Sequence, residues 1–154
     1  MYVLADQEGK LFGAVTIQRP EDFIFPFPGF HYYCLIWDHE GRFNDVDRST
    51  VARALLESGC RYAVCAGNFC EEWHDAVDAV YETQHMDDIK EISDADFVMT
   101  TWHKGASPDD VAFFFVMNTN FAEHNFQHYL TLHVGVSQAI EKIESAVRKY
   151  ARNE

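Results

Sequence analysis

From residue 31 onward the chain alternates short apolar runs with segments carrying an apolar stripe at helical spacing. No other feature constrains the fold as much. Residues 32–37, 61–66, 96–102 and 129–134 read as strands. The first two runs are nearly unbroken in apolar character, as a strand buried on both faces requires. Residues 47–58 place Val51, Ala52, Leu55 and Leu56 on one helical face, and Gly59 follows as a natural stop. A second helix is expected to start at Asn68, with Glu71 at the capping-box position. It puts Phe69, Trp73, Ala76, Val77 and Val80 on one face, and Glu71, Asp75, Asp78 and Glu82 on the other. Ser107-Pro108-Asp109-Asp110 combines a capping serine, proline in the first turn and acids at the positive helix end. That start signal favours helix over strand for the apolar residues 111–117. Ser137 is expected to cap a last helix running to about Tyr150.

Strands separated by helices imply βαβ units and a mostly parallel sheet. The expectation is a single α/β domain of three layers, flavodoxin-like or Rossmann-like, with a four-stranded sheet in the order 2-1-3-4 of those runs. The topological switch then falls between the first and third runs. Residues 1–30 form a separate preface. A hairpin is expected around Gln7-Glu8-Gly9-Lys10. The Phe/Pro-rich arm 23–30 follows, where two prolines remove backbone donors and the phenylalanines are expected to pack over the core.

Charge and cysteine usage narrow the functional classes. Twelve Lys and Arg against 25 Asp and Glu give −13, which disfavours a nucleic-acid surface. The longest apolar run has seven residues, 111–117, where a membrane-spanning helix takes about 20. The first residues lack the basic start and apolar core of a secretory signal. Cysteines at 34, 60, 65 and 70 form no Cys-x-x-Cys pair, so no structural zinc is expected. These features point to a reduced, cytoplasmic protein.

Two strings resemble a known family. The Gly67-x-x-Cys70-x-x-Trp73-x-Asp75 segment and the Met99-Thr100-Thr101-Trp102-His103 segment are similar to those of small uncharacterised bacterial proteins that carry a domain of unknown function. The resemblance spans residues 60–134, implies an α/β fold and implies no activity. The Phe/Pro-rich arm lies outside it.

In open α/β sheets ligands bind beyond the carboxyl ends of the strands. Here that edge presents Asp38, His39, Asn68, Cys70, His103 and Lys104. Asp38, His39 and His103 are a candidate divalent-metal set, against solvated loop-end residues. Cys70 in the first turn of a helix, with His103 as base and Asp38 or Asp75 orienting it, is a candidate nucleophile pair. The neighbouring Glu71 and Glu72 oppose a thiolate, and a small space-filling residue beside Trp73 is the simpler reading. His124 and His128 beside Glu123 have the spacing of a zinc pair on a helix but precede a strand. Gly-rich nucleotide loops and the Gly-x-Ser-x-Gly elbow are missing, so no cofactor is expected from motifs.

The acids are unevenly placed. Residues 62–103 hold ten acids and one lysine. The leading expectation is therefore a binding module whose acidic face, with Asp75, Asp78, Glu82 and the nearby Trp102, meets a basic protein. Two alternatives stand beside it. One is a small metal- or cysteine-dependent enzyme using Asp38, Cys70 and His103, and the other a small-molecule sensor using the same crevice.

Overall fold

A computed structural model of the chain describes residues 1–85, 96–120 and 124–153. The strands are β1 (Tyr2–Gln7), β2 (Lys10–Ile17), β3 (Tyr32–Asp38), β4 (Cys60–Gly67), β5 (Met99–His103) and β6 (His128–Val134). The helices are α1 (Asp45–Glu57), α2 (Cys70–Gln84), α3 (Pro108–Met117) and α4 (Ile140–Ala151). The hairpin closes where expected: Gln7 pairs with Lys10. Glu8 and Gly9 both take positive φ, 53° and 81°, as a two-residue turn matched to strand twist demands.

The six strands form one sheet in the order β1-β2-β6-β3-β4-β5. Only the β1–β2 pair is antiparallel. This corrects the expected four-stranded sheet. The hairpin joins the main sheet through β2, which runs parallel to β6. The expected 2-1-3-4 order also fails, because β6 lies between β2 and β3 and leaves β5 at the edge. The reason lies in which strand can be enclosed. Tyr129 to Val134 are all buried, whereas no residue of β5 is. A strand reading Met-Thr-Thr-Trp-His tolerates an open edge, and the more apolar β6 takes the centre. The switch point therefore falls between β3 and β6.

Successive side chains of each strand feed two cores. Cys34, Ile36, Cys65, Leu130 and Leu132 pack with Val51 and Leu55 of α1 and Trp73 and Val77 of α2. Tyr33, Leu35, Trp37, Val64 and Tyr129 pack with Val111 and Phe115 of α3 and Ile143 and Val147 of α4. Phe23 and Phe27 of the arm join the α1/α2 core, as expected, while Ile24, Phe25 and Phe30 stay exposed.

Helix starts differ in detail from the sequence expectation. Asn44 caps α1, with its side-chain oxygen accepting from Asp47 N at 2.9 Å. Asn68 is not a cap. Phe69, in a left-handed conformation, precedes α2, and Asn68 Nδ2 instead donates to the Asp38 carbonyl at 3.2 Å. Ser107 caps α3 as expected and fixes residues 108–117 as helix. Ser137 lies three residues ahead of α4, whose cap position is Ala139.

Candidate functional site

The carboxyl ends of β2 to β6 share one edge of the sheet, and most sequence candidates do lie there. The structure then divides them between its two faces. Asp38, at the end of β3, is 1% exposed. Its carboxylate accepts from Gly41 N at 2.7 Å and from Trp73 Nε1 at 2.9 Å. Its carbonyl accepts from Asn68 N at 2.9 Å. The close approach needs Gly67 (φ 78°), because a Cβ there would lie 2.4 Å from that carbonyl oxygen. Asp38 thus ties the end of β3 to the start of α2.

Cys70 is buried in the α1/α2 core. His103 lies on the α3 face, with its ring 4.6 Å from that of Phe114 and its Nε2 3.0 Å from Thr101 Oγ1. The sheet stands between the thiol and the imidazole, so the geometry does not bring the cysteine–histidine pair together. Asp38 and His39 follow one another in an extended strand end and point to opposite faces, which also splits the metal set. Among the described residues no group of three or more His, Cys, Asp or Glu is placed to hold a metal ion. His124 is buried with its Nε2 2.8 Å from the Phe97 carbonyl oxygen, and His128 packs on Phe30 at 4.5 Å. Glu123 lies outside the described residues.

The acidic stripe faces outward on α2. Glu71, Glu72, Asp75 and Glu82 are exposed, and Asp78 is half-buried. His74 sits among them, 3.0 Å from Asp75 and 3.3 Å from Asp78, with its ring 4.6 Å from that of Trp102. Asp78 also accepts from Thr100 Oγ1 at 2.7 Å, which pins the stripe to the edge strand. Asp87, Asp88, Glu91 and Asp94 lie outside the described residues.

Sequence reasoning missed a different constellation, at the true switch point. Ser137 Oγ lies 2.6 Å from His39 Nδ1. His39 Nε2 lies 2.8 Å from His133 Nδ1. His133 Nε2 lies 2.9 Å from Glu144 Oε2. Tyr2 donates its phenolic hydrogen to the same Glu144 oxygen. Four elements contribute: β3 leads into His39, β6 carries His133 and leads into Ser137, α4 carries Glu144 and β1 carries Tyr2. His133 is fully buried, Glu144 is 7% exposed and Ser137 is exposed. The chain of hydrogen bonds therefore runs from the interior to solvent.

The anchor sets the direction of every bond. As a carboxylate Glu144 only accepts, so His133 donates from Nε2 and its Nδ1 becomes an acceptor. His39 then donates from Nε2, and its Nδ1 accepts the Ser137 hydroxyl proton. Ala139 N donates to Ser137 Oγ at 3.1 Å, which fixes the hydroxyl oxygen. Burial holds the His39 imidazole down to about 4, helped by repulsion from His133 and opposed by Glu40. Burial lowers His133 as well, and Glu144 partly offsets it. Both shifts favour the neutral imidazole, the form in which Nδ1 of each ring accepts a hydrogen bond. The positive end of α4 begins three residues after Ser137.

One signal for this cluster was present in the sequence. Glu144 falls among Ile140, Ile143 and Val147, on the apolar stripe of α4, where a charged residue needs a partner. The partner was not legible, because His133 lies on a strand and Tyr2 at the other end of the chain.

Fold and edge together define a mixed α/β protein with a serine-ended chain of hydrogen bonds at the switch point of its sheet. A family model described as a domain of unknown function (DUF7684) matches residues 16–150, and the chain belongs to that family. No curated protein and no solved structure matches it. Among the described residues no helix is long and apolar enough to cross a membrane.

Proposed function

We propose that Ser137 is a nucleophile for acyl transfer, with an ester or similarly activated acyl group as substrate. The observation that supports this reading is the unbroken run Ser137–His39–His133–Glu144, which has the logic of a catalytic triad lengthened by one imidazole. As Ser137 Oγ bonds to the carbonyl carbon, its proton passes to His39 Nδ1. The His39 Nε2–H stays donated to His133 Nδ1, and the His133 Nε2–H to the Glu144 carboxylate. The same proton then goes to the departing alcohol, leaving the acyl group on Ser137. Water attacks that ester, gives its proton to His39 and releases the acid, and Ser137 recovers its hydrogen.

The test is covalent labelling by a fluorophosphonate probe, followed by intact mass and peptide mapping. A single adduct on Ser137 is expected, absent from Ser137→Ala. In His39→Gln its rate should fall by about 10²–10⁴-fold, the usual worth of a positioned base. An unmodified Ser137 in the wild type, or equal labelling in His39→Gln, would remove the nucleophile.

A second reading concerns the opposite side of the molecule. The exposed acids of α2 lie beside Trp102, which is 46% exposed on the edge strand. This combination suits a basic protein partner that offers cations to the stripe and an apolar surface to the indole.

A further inference from the structure

We propose that Tyr2 is a positioning residue for the Ser137 site: by donating to Glu144 Oε2 it shares that carboxylate with His133 and limits how strongly Glu144 pulls on the histidine pair. The proposal rests on the nucleophile reading for its catalytic meaning, and on geometry alone for the coupling.

The phenol of Tyr2 and the Nε2 of His133 converge on one oxygen of a buried carboxylate. Arg148, one turn further along α4, donates from its Nε to the Leu4 carbonyl at 3.3 Å and forms no ion pair with Glu144. Among the described residues the charge of Glu144 is therefore met by a phenol and an imidazole, with no Lys or Arg ion pair. Partial burial and the Glu144 carboxylate push the Tyr2 phenol up to about 12, with Arg148 opposing, so it remains a donor throughout the neutral range. A carboxylate that loses one of two donors in a desolvated site interacts more strongly with the other. Hydrogen bonds in a chain polarise one another, so the change travels through His133 to His39. Tyr2 also lies outside the segment matched by the family model, which begins at residue 16. The hairpin therefore brings the site a group that the matched segment does not contain.

The experiment uses the full chain with ¹⁵N-labelled histidine and follows the His133 ring N–H proton by NMR. Tyr2→Phe retains the ring and removes the hydroxyl. The His133 Nε2–H resonance is expected to move downfield as its bond to Glu144 strengthens. In a Glu144→Gln background the same Tyr2→Phe change should leave the resonance where it was, because the shared charge has gone. An unmoved or upfield resonance in Tyr2→Phe would overturn the proposal. So would an equal shift in both backgrounds, which would mean that the phenol acts by another route. Near-UV circular dichroism of each variant confirms that the comparison is between folded proteins. The two readings fail separately. A Ser137 inert to the probe with the resonance shift intact removes only the nucleophile. A reactive Ser137 with no shift removes only the role of Tyr2.

Discussion

At the scale of single residues, the chemistry collects where side chains are denied water. Asp38 and Glu144 are both buried carboxylates, yet they do different things. Asp38 is satisfied by a backbone amide and the Trp73 indole, and so holds β3 against α2. Glu144 is satisfied by groups that can pass on the consequence, an imidazole and a phenol. His39 gives this contrast a measurable sign. Its value in the folded chain is about 4, against roughly 6.5 for an unperturbed imidazole. Between those values the unfolded chain binds more protons, so stability rises with pH across the window and is lost as pH falls through it. His133, lowered by burial, acts in the same direction. The melting temperature is expected to drop between pH 6.5 and pH 4. His39→Gln should narrow that drop in thermal melts, and an unchanged drop would show that His39 is not the group responsible. Residue identity alone gave a partial view of this site. His39 stood out as a candidate ligand and Ser137 as a helix cap, but nothing in either position pointed to the other.

At the scale of elements, local signals were read well where a helix or turn is fixed by its own neighbours. The Glu8-Gly9 turn and the Ser107 cap belong to this class. Ser107 Oγ accepts from Asp110 N at 3.1 Å, so Ser107→Ala should cost about 1 kcal/mol in urea denaturation, the typical worth of a cap. Asp109 in the same turn holds Lys149 at 3.0 Å and the Tyr150 hydroxyl at 2.7 Å, joining the start of α3 to the end of α4. A loss of only a few tenths would mean that these tertiary contacts, and not the cap, hold the start of α3 in place. The start of α2 departs from its local signal for a related reason. Asn68 has a capping side chain, but its Nδ2 and backbone N–H both donate to the β3 carbonyl at Asp38, and Phe69 takes the cap position. A residue at a strand end answers to the neighbouring strand as well as to its own helix.

At the scale of the whole molecule, the exposed acids of α2 and the hydrogen-bonded chain lie at different parts of the sheet. If the acidic stripe receives a basic partner, replacing Asp75, Asp78 and Glu82 with lysine should abolish capture in a pull-down while the melting temperature stays high. Undiminished capture would move the interface elsewhere. The alternation of strand and helix was determined by sequence, because hydrophobic periodicity is a property of neighbouring positions. So were the hairpin, the α3 start and the apolar faces of the helices. Strand order was not, since β5 and β6 each satisfy the βαβ rhythm and only competition for the buried centre separates them. The site depended on that decision. With β6 beside β3, His133 comes within reach of His39, and the adjoining hairpin brings Tyr2 to Glu144. These contacts join residues as far apart as positions 2 and 144. A linear pattern cannot record such a meeting, because burial of His133 and Glu144 in the finished core is what makes them need partners.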